Sequence, residues 1–186
     1  MKKLTLAFVD LETTGLHPSR HEIFEIGIVL AEQHCDLFGH QYLELITEHE
    51  LLLLPEHLET ADKKALEIST YHLRDMSNAY TQKEGLMKAA EILNSTMFIA
   101  QNVGFDWAFL QRSGERYGID FDSRVHYHKL DLASMVFGKL YHDTRLSKFT
   151  LREMTEYFTV TNLHAHTALS DARASFEVAK KLLELP

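Results

Sequence analysis

Cysteine is almost absent from this chain: Cys35 is the only one. No internal disulfide can form, and nothing points to an oxidising compartment. No His-containing catalytic pattern surrounds Cys35, so a packed or half-exposed thiol is expected rather than a reactive one. Proline (3) and glycine (8) are sparse among 186 residues, while hydrophobic residues make up 45%. That balance excludes a disordered chain and suits one domain with a substantial core, spanning 1–186. No apolar run approaches the roughly 20 residues that cross a bilayer. The opening MKKLTLAFVDLE reaches an acid too early for a signal peptide. The expectation is a cytoplasmic protein with no membrane partner.

Positive charge is also short. The formal net charge is −8, which argues against a protein that coats long duplexes by releasing counterions. The charge is uneven. Residues 40–67 carry seven acids against Lys63 and Lys64, whereas 129–152 carry Lys129, Lys139, Arg145, Lys148 and Arg152 against Asp131 and Asp143. The second stretch could guide an anionic substrate locally, although an ordinary solvated helix–loop–helix surface is the better explanation of any single base.

The hydrophobic pattern predicts strands over 3–10, 22–32 and 41–47, joined by short links such as CDLFGH, as an antiparallel meander. After it the pattern alternates. Helices are expected over 83–93, 105–118, 131–140 and 149–158, and strands over 97–102 and 125–130. Leu169, Ala172, Phe176, Ala179 and Leu183 recur at helical spacing in a C-terminal amphipathic helix. The whole reads as an α/β domain with a mixed sheet. The leucine-rich stretch before Pro55 is expected either to end a long strand or to pack as a loop on the core.

The chemistry begins in FVDLETTGL, where Asp10 and Glu12 follow an apolar strand at its end. In extended backbone, residues i and i+2 project on the same side. Two carboxylates would then crowd at the carboxyl edge of a sheet, where ligands of α/β proteins bind. Like charges this close raise one another's pKa unless a cation intervenes, and Mg²⁺ binds through one or two carboxylates plus phosphate oxygens. Asp106 opens a helix after an apolar strand, and Asp171 lies in the first turn of the last helix. Each alone is explained by the helix dipole; together they form a constellation. His166 precedes Asp171 by five residues. A loop imidazole near carboxylates and a metal is placed to deprotonate water.

These segments resemble a family. FVDLETTGL resembles the first motif of DnaQ-like (DEDDh) 3′→5′ exonucleases, AQNVGFDWAFL (100–110) the second, and HTALSDA (166–172) the third in its His-containing form. YHLRD (71–75) and KLDLASM (129–135) resemble weaker landmarks between them. The resemblance covers essentially the whole chain. It implies a ribonuclease H-like fold with a mixed five-stranded sheet flanked by helices. It implies Asp10, Glu12, Asp106 and Asp171 as ligands of two divalent cations, Mg²⁺ or Mn²⁺, and His166 rather than His164 as general base. Thr13, Leu16, Asn102 and Phe105 would border the terminal nucleotide, though Leu16 and Phe105 could equally be core. Gln101 departs from the family, many of whose members carry His there, and the acidic 48–68 region fits poorly.

The implied activity is hydrolysis at the 3′ end of single-stranded DNA or RNA, releasing 5′-mononucleotides. A polymerase or repair protein would be a fitting partner. One alternative is a catalytically silent nucleic-acid or polymerase-binding module of the same fold, against which the intact set of acids and His166 speaks. A phosphohydrolase of the haloacid dehalogenase type would need Asp where Glu12 stands, and would leave the second and third motifs unexplained.

Overall fold

The computed structural model describes residues 4–37 and 39–185. Lys3, in the first expected strand, and Phe38, in the expected CDLFGH turn, lie outside the described residues. Three long strands form the predicted meander: β1 (Thr5–Thr13), β2 (Ile23–Cys35) and β3 (Gln41–Leu52). β4 (Met97–Ala100) and β5 (Lys129–Asp131) complete a five-stranded sheet of order β3-β2-β1-β4-β5. The β3–β2 and β2–β1 pairs are antiparallel, and β1–β4 and β4–β5 are parallel. β3 forms one outer edge of the sheet. The mixed sheet with flanking helices matches the ribonuclease H-like architecture.

The helices are α1 (Lys63–Ile68), α2 (Gln82–Ile92), α3 (Val103–Tyr117), α4 (Leu132–Leu140), α5 (Leu151–Phe158) and α6 (Ala168–Leu183). Their starts are chemically marked. Thr81 and Glu84 form a reciprocal capping box on α2. Thr150 caps α5 through the N–H of Glu153. Asp131 serves two helices, taking the N–H of Ser134 at 2.7 Å and that of Val103 at 3.0 Å. It thereby ties the start of α3 to the start of α4.

Alternation along β1 sorts its side chains between two cores. Ala7, Val9 and Leu11 pack with Leu86, Ala89 and Phe109 of α2 and α3. Leu6 and Phe8 face the other side, with Val136, Met154 and Phe176 of α4, α5 and α6. The Phe8 and Phe176 rings meet edge-on at 5.5 Å. Each ring is almost wholly buried, which contributes roughly 1.5–3 kcal/mol per side chain.

Three expectations change. β1 runs on to Thr13, so Asp10 and Glu12 sit inside the strand, held there by pairing with Gly27 and Glu25 of β2. The strand expected over 125–130 is displaced to Lys129–Asp131. β4 is short and offers only Phe98, Ile99 and Ala100 as partners, while Val125 closes a turn through its N–H to Phe121 O at 3.0 Å. β3 extends five residues beyond its expected end, to Leu52, and Leu53 is fully buried. The leucine run therefore both ends a long strand and packs on the core.

Candidate active site

Asp10 and Glu12 continue the Leu6–Phe8 row on the α6 face of β1, so the apolar row ends in two acids. β4 pairs with β1 only as far as Phe8. Past that point β1 keeps β2 but has no strand on its β4 side, and Asp106, in the first turn of α3, lies there instead. Its carboxylate accepts the backbone N–H of Leu11 as well as its own. Asp106 is 3% exposed, and burial pushes its carboxyl well above the usual carboxylate range.

The third wall is the start of α6. Asp171 accepts Nδ2 of Asn162 at 2.6 Å on Oδ1 and the backbone N–H of His166 at 3.2 Å on Oδ2. Ser170 Oγ donates to Asn162 Oδ1 at 2.7 Å, which fixes the amide's orientation. His166 has φ +69° and is exposed. Potential ligand atoms of Glu12, His166 and Asp171 all lie within 4.8 Å of one another. His164 is not in that group; its carbonyl closes the turn by accepting Thr167 N–H at 3.2 Å. An open pocket of about 460 Å³ adjoins the group, lined by Arg152, Thr155, Asn162, His166 and Asp171 among others.

Like charge accumulates here. Burial, then Asp106, Asp171, Glu12 and Glu25, raise the Asp10 carboxyl well above its ordinary value. Burial, then Glu25 and Asp171, push Glu12 up to about 8, with Arg74 pulling the other way. The protein's own donors satisfy parts of Asp106 and Asp171 but leave this repulsion standing. A set of hard carboxylate oxygens frustrated in this way fits divalent cations.

The remaining predicted residues fall into two kinds. Thr13 is buried and donates Oγ1 to Gly15 O at 2.8 Å, while Thr14 N–H bonds Glu22 O at 2.8 Å. A side chain on Gly15 would overlap the His21 ring. This tight turn holds out Leu16, which is 68% exposed and so is not core. Asn102 is exposed, in the left-handed region before α3, and Phe105 is half-buried against Phe109. Gln101 donates to Phe149 O at 3.3 Å. The 48–68 region buttresses the turn, since Asp62 N–H bonds Thr14 O at 2.7 Å.

Two residues escaped the sequence reading. Glu25, on β2, stands opposite Glu12 of β1, is 1% exposed, and accepts the N–H of Ala168 at 2.8 Å. Arg74 Nε lies 2.9 Å from Glu25 Oε2. The guanidinium and the buried carboxylate form an ion pair there. The signal for Glu25 was a charge inside the apolar run EIFEIGIVL, and for Arg74 the resemblance of YHLRD to a family landmark.

Residues 7–179 match the RNase_T model, described as exonuclease. The chain belongs to this family, the DnaQ-like 3′→5′ exonucleases of the ribonuclease H-like superfamily. Oligoribonuclease of Colwellia psychrerythraea (strain 34H) is 27% identical over 187 residues, covering 97% of this chain and 94% of that protein. DNA polymerase III PolC-type of Caldanaerobacter subterraneus subsp. tengcongensis is 28% identical over 94% of this chain. The chain spans about a tenth of the length of the PolC-type relatives it matches. The crystal structure of E. coli Exonuclease I in complex with a dT13 oligonucleotide has the same fold, with TM-score 0.75 and 19% identity over 95% of this chain and 40% of that one. No helix among the described residues is long and apolar enough to cross a membrane.

Proposed function

We propose that this chain is a 3′→5′ exonuclease that releases 5′-mononucleotides from single-stranded DNA or RNA. The observation that carries it is the convergence of Glu12, His166 and Asp171 within 4.8 Å, in a family of exonucleases. Asp10, Glu12, Asp106 and Asp171 would hold two divalent cations, Mg²⁺ or Mn²⁺. Bound there, such ions supply an acidified water and neutralise charge on the leaving 3′ oxygen.

The chain's own residues do the rest. His166 accepts the proton of the attacking water on a ring nitrogen, from a loop open to solvent through which that proton can leave. Asn162 holds Asp171 so that its carboxylate faces the cluster. Leu16 presents an apolar side chain for the terminal base, and Phe105 and Asn102 border the same nucleotide. Thr13 acts by setting the turn, because its hydroxyl is committed to Gly15. The near full-length match to an oligoribonuclease supports short oligonucleotides as substrate. The matches within PolC-type polymerases support a polymerase or repair partner as a second arrangement.

Matched DNA and RNA oligomers of several lengths, labelled and single- or double-stranded, test this with Mg²⁺ or Mn²⁺. Mononucleotides should appear from the 3′ end, cease with chelator and fall to a small residual rate in His166→Ala. Unchanged activity in either condition refutes the mechanism. A catalytically silent module would bind the oligomers and release nothing.

A further inference from the structure

Arg74 lies in the segment YHLRD, outside the four acids and His166, yet it reaches the catalytic loop. Its Nη2 donates to His166 O at 2.8 Å and to Ser69 O at 3.1 Å, while Nε sits against Glu25. Glu25 is buried and uses its other oxygen to hold Ala168 N–H. The N–H of His166 is held in turn by Asp171. Both peptide groups flanking the His166 Cα are therefore fixed, and the helix start two residues on is fixed by the same Glu25.

The loop has little else to hold it. Residues 163–166 are all exposed, so no apolar side chain anchors them. His166 also has φ +69°, in the left-handed region that residues with a Cβ visit uncommonly, so its loop gains from being held. A guanidinium suits the task because its planar fork serves several acceptors at once, whereas an ammonium is a point charge.

We infer that Arg74, seated on Glu25, is a positioning residue that fixes the His166 loop in its working conformation. The inference rests on the reading of His166 as the base. Arg74→Lys keeps a cation beside Glu25 but loses the fork. It should lower kcat roughly 10- to 100-fold, as loss of an orienting partner does, with KM and Mn²⁺ affinity near wild type. In a double-mutant cycle, Arg74→Lys should cost almost nothing further when added to His166→Ala. The pair Glu25→Gln with Arg74→Gln leaves no buried charge unpaired and should show the same kcat loss. Melting curves on each variant establish that it is folded. Full kcat in Arg74→Lys beside a strongly impaired His166→Ala overturns this inference alone, as does a loss that simply adds to that of His166→Ala. Full activity in His166→Ala overturns the reading of the base, and this inference with it.

Discussion

Glu12 and Glu25 stand directly opposite each other on β1 and β2, one turned into the acidic cluster and the other pinned by Arg74 and the start of α6. This cross-strand pair places like charges where sheets ordinarily avoid them. The cost appears as proton affinity in the metal-free protein.

That cost gives a pH prediction. The Glu12 carboxyl rises from 4.5 to about 8, through burial first and then Glu25 and Asp171. Over this range the folded chain holds a proton that the unfolded chain has released. The stabilisation is complete below the unfolded value and is lost as pH climbs through the folded one. The metal-free protein should lose on the order of a few kcal/mol between about pH 5 and 8. Melting temperatures taken with chelator check this, and Glu12→Gln should flatten the slope. Mg²⁺ or Mn²⁺ should restore stability most at the alkaline end.

Asp10→Asn removes a carboxylate that burial and its neighbours already disfavour. At about pH 8 the metal-free variant should melt slightly higher than wild type, at roughly 2–4 °C per kcal/mol gained. Turnover should fall by more than the ~100-fold that loss of an outer-shell partner can cost. A lower metal-free melting temperature would mean that Asp10 is satisfied by protein donors.

Asn162→Ala frees Asp171 Oδ1 and strands Ser170 Oγ. Affinity for Mn²⁺ should drop about 10- to 100-fold, while the fold survives, since Asn162 lies in a surface loop. Titration calorimetry reads the affinity, and an unchanged value refutes the orienting role.

Gly27→Ala tests the seating of α6 on the sheet. Gly27 lies opposite Asp10, and a Cβ there would overlap the backbone of Ala168. Overpacking should cost about 1–3 kcal/mol. Activity should fall with it, because Asp171 and His166 move with the helix start. Denaturant unfolding and a rate assay on the same sample measure both.

The sequence disclosed the parts of this arrangement that depend on period. Two-residue alternation places Asp10 and Glu12 on one face, and helical spacing shows α6 and so the setting of Asp171. Register is another matter. That Glu25 meets Glu12 depends on the long turn between β1 and β2, whose geometry is fixed by Thr14, Gly15 and His21. Arg74 reaches the site from a segment without periodicity, so the YHLRD landmark marks the segment but not the role of its arginine. β5 was misplaced because three residues are too few for alternation to register, and the apolar Val125 belongs to a turn.

The outer rim of β3 carries a further consequence. Except at Leu52, whose carbonyl takes the Tyr80 N–H, the edge backbone of β3 forms a template on which another chain could add as a sixth strand. Glu44, Glu48 and Glu50 line that strand, with Tyr42, Leu45 and Ile46 exposed among them. Glu48 is neutralised by Arg173 at 2.6 Å, which leaves the exposed Glu44 and Glu50 to set like charge against like between copies on this sticky rim. Replacing Glu44 or Glu50 by an apolar residue would therefore open the way to edge-to-edge aggregation without touching the catalytic cluster.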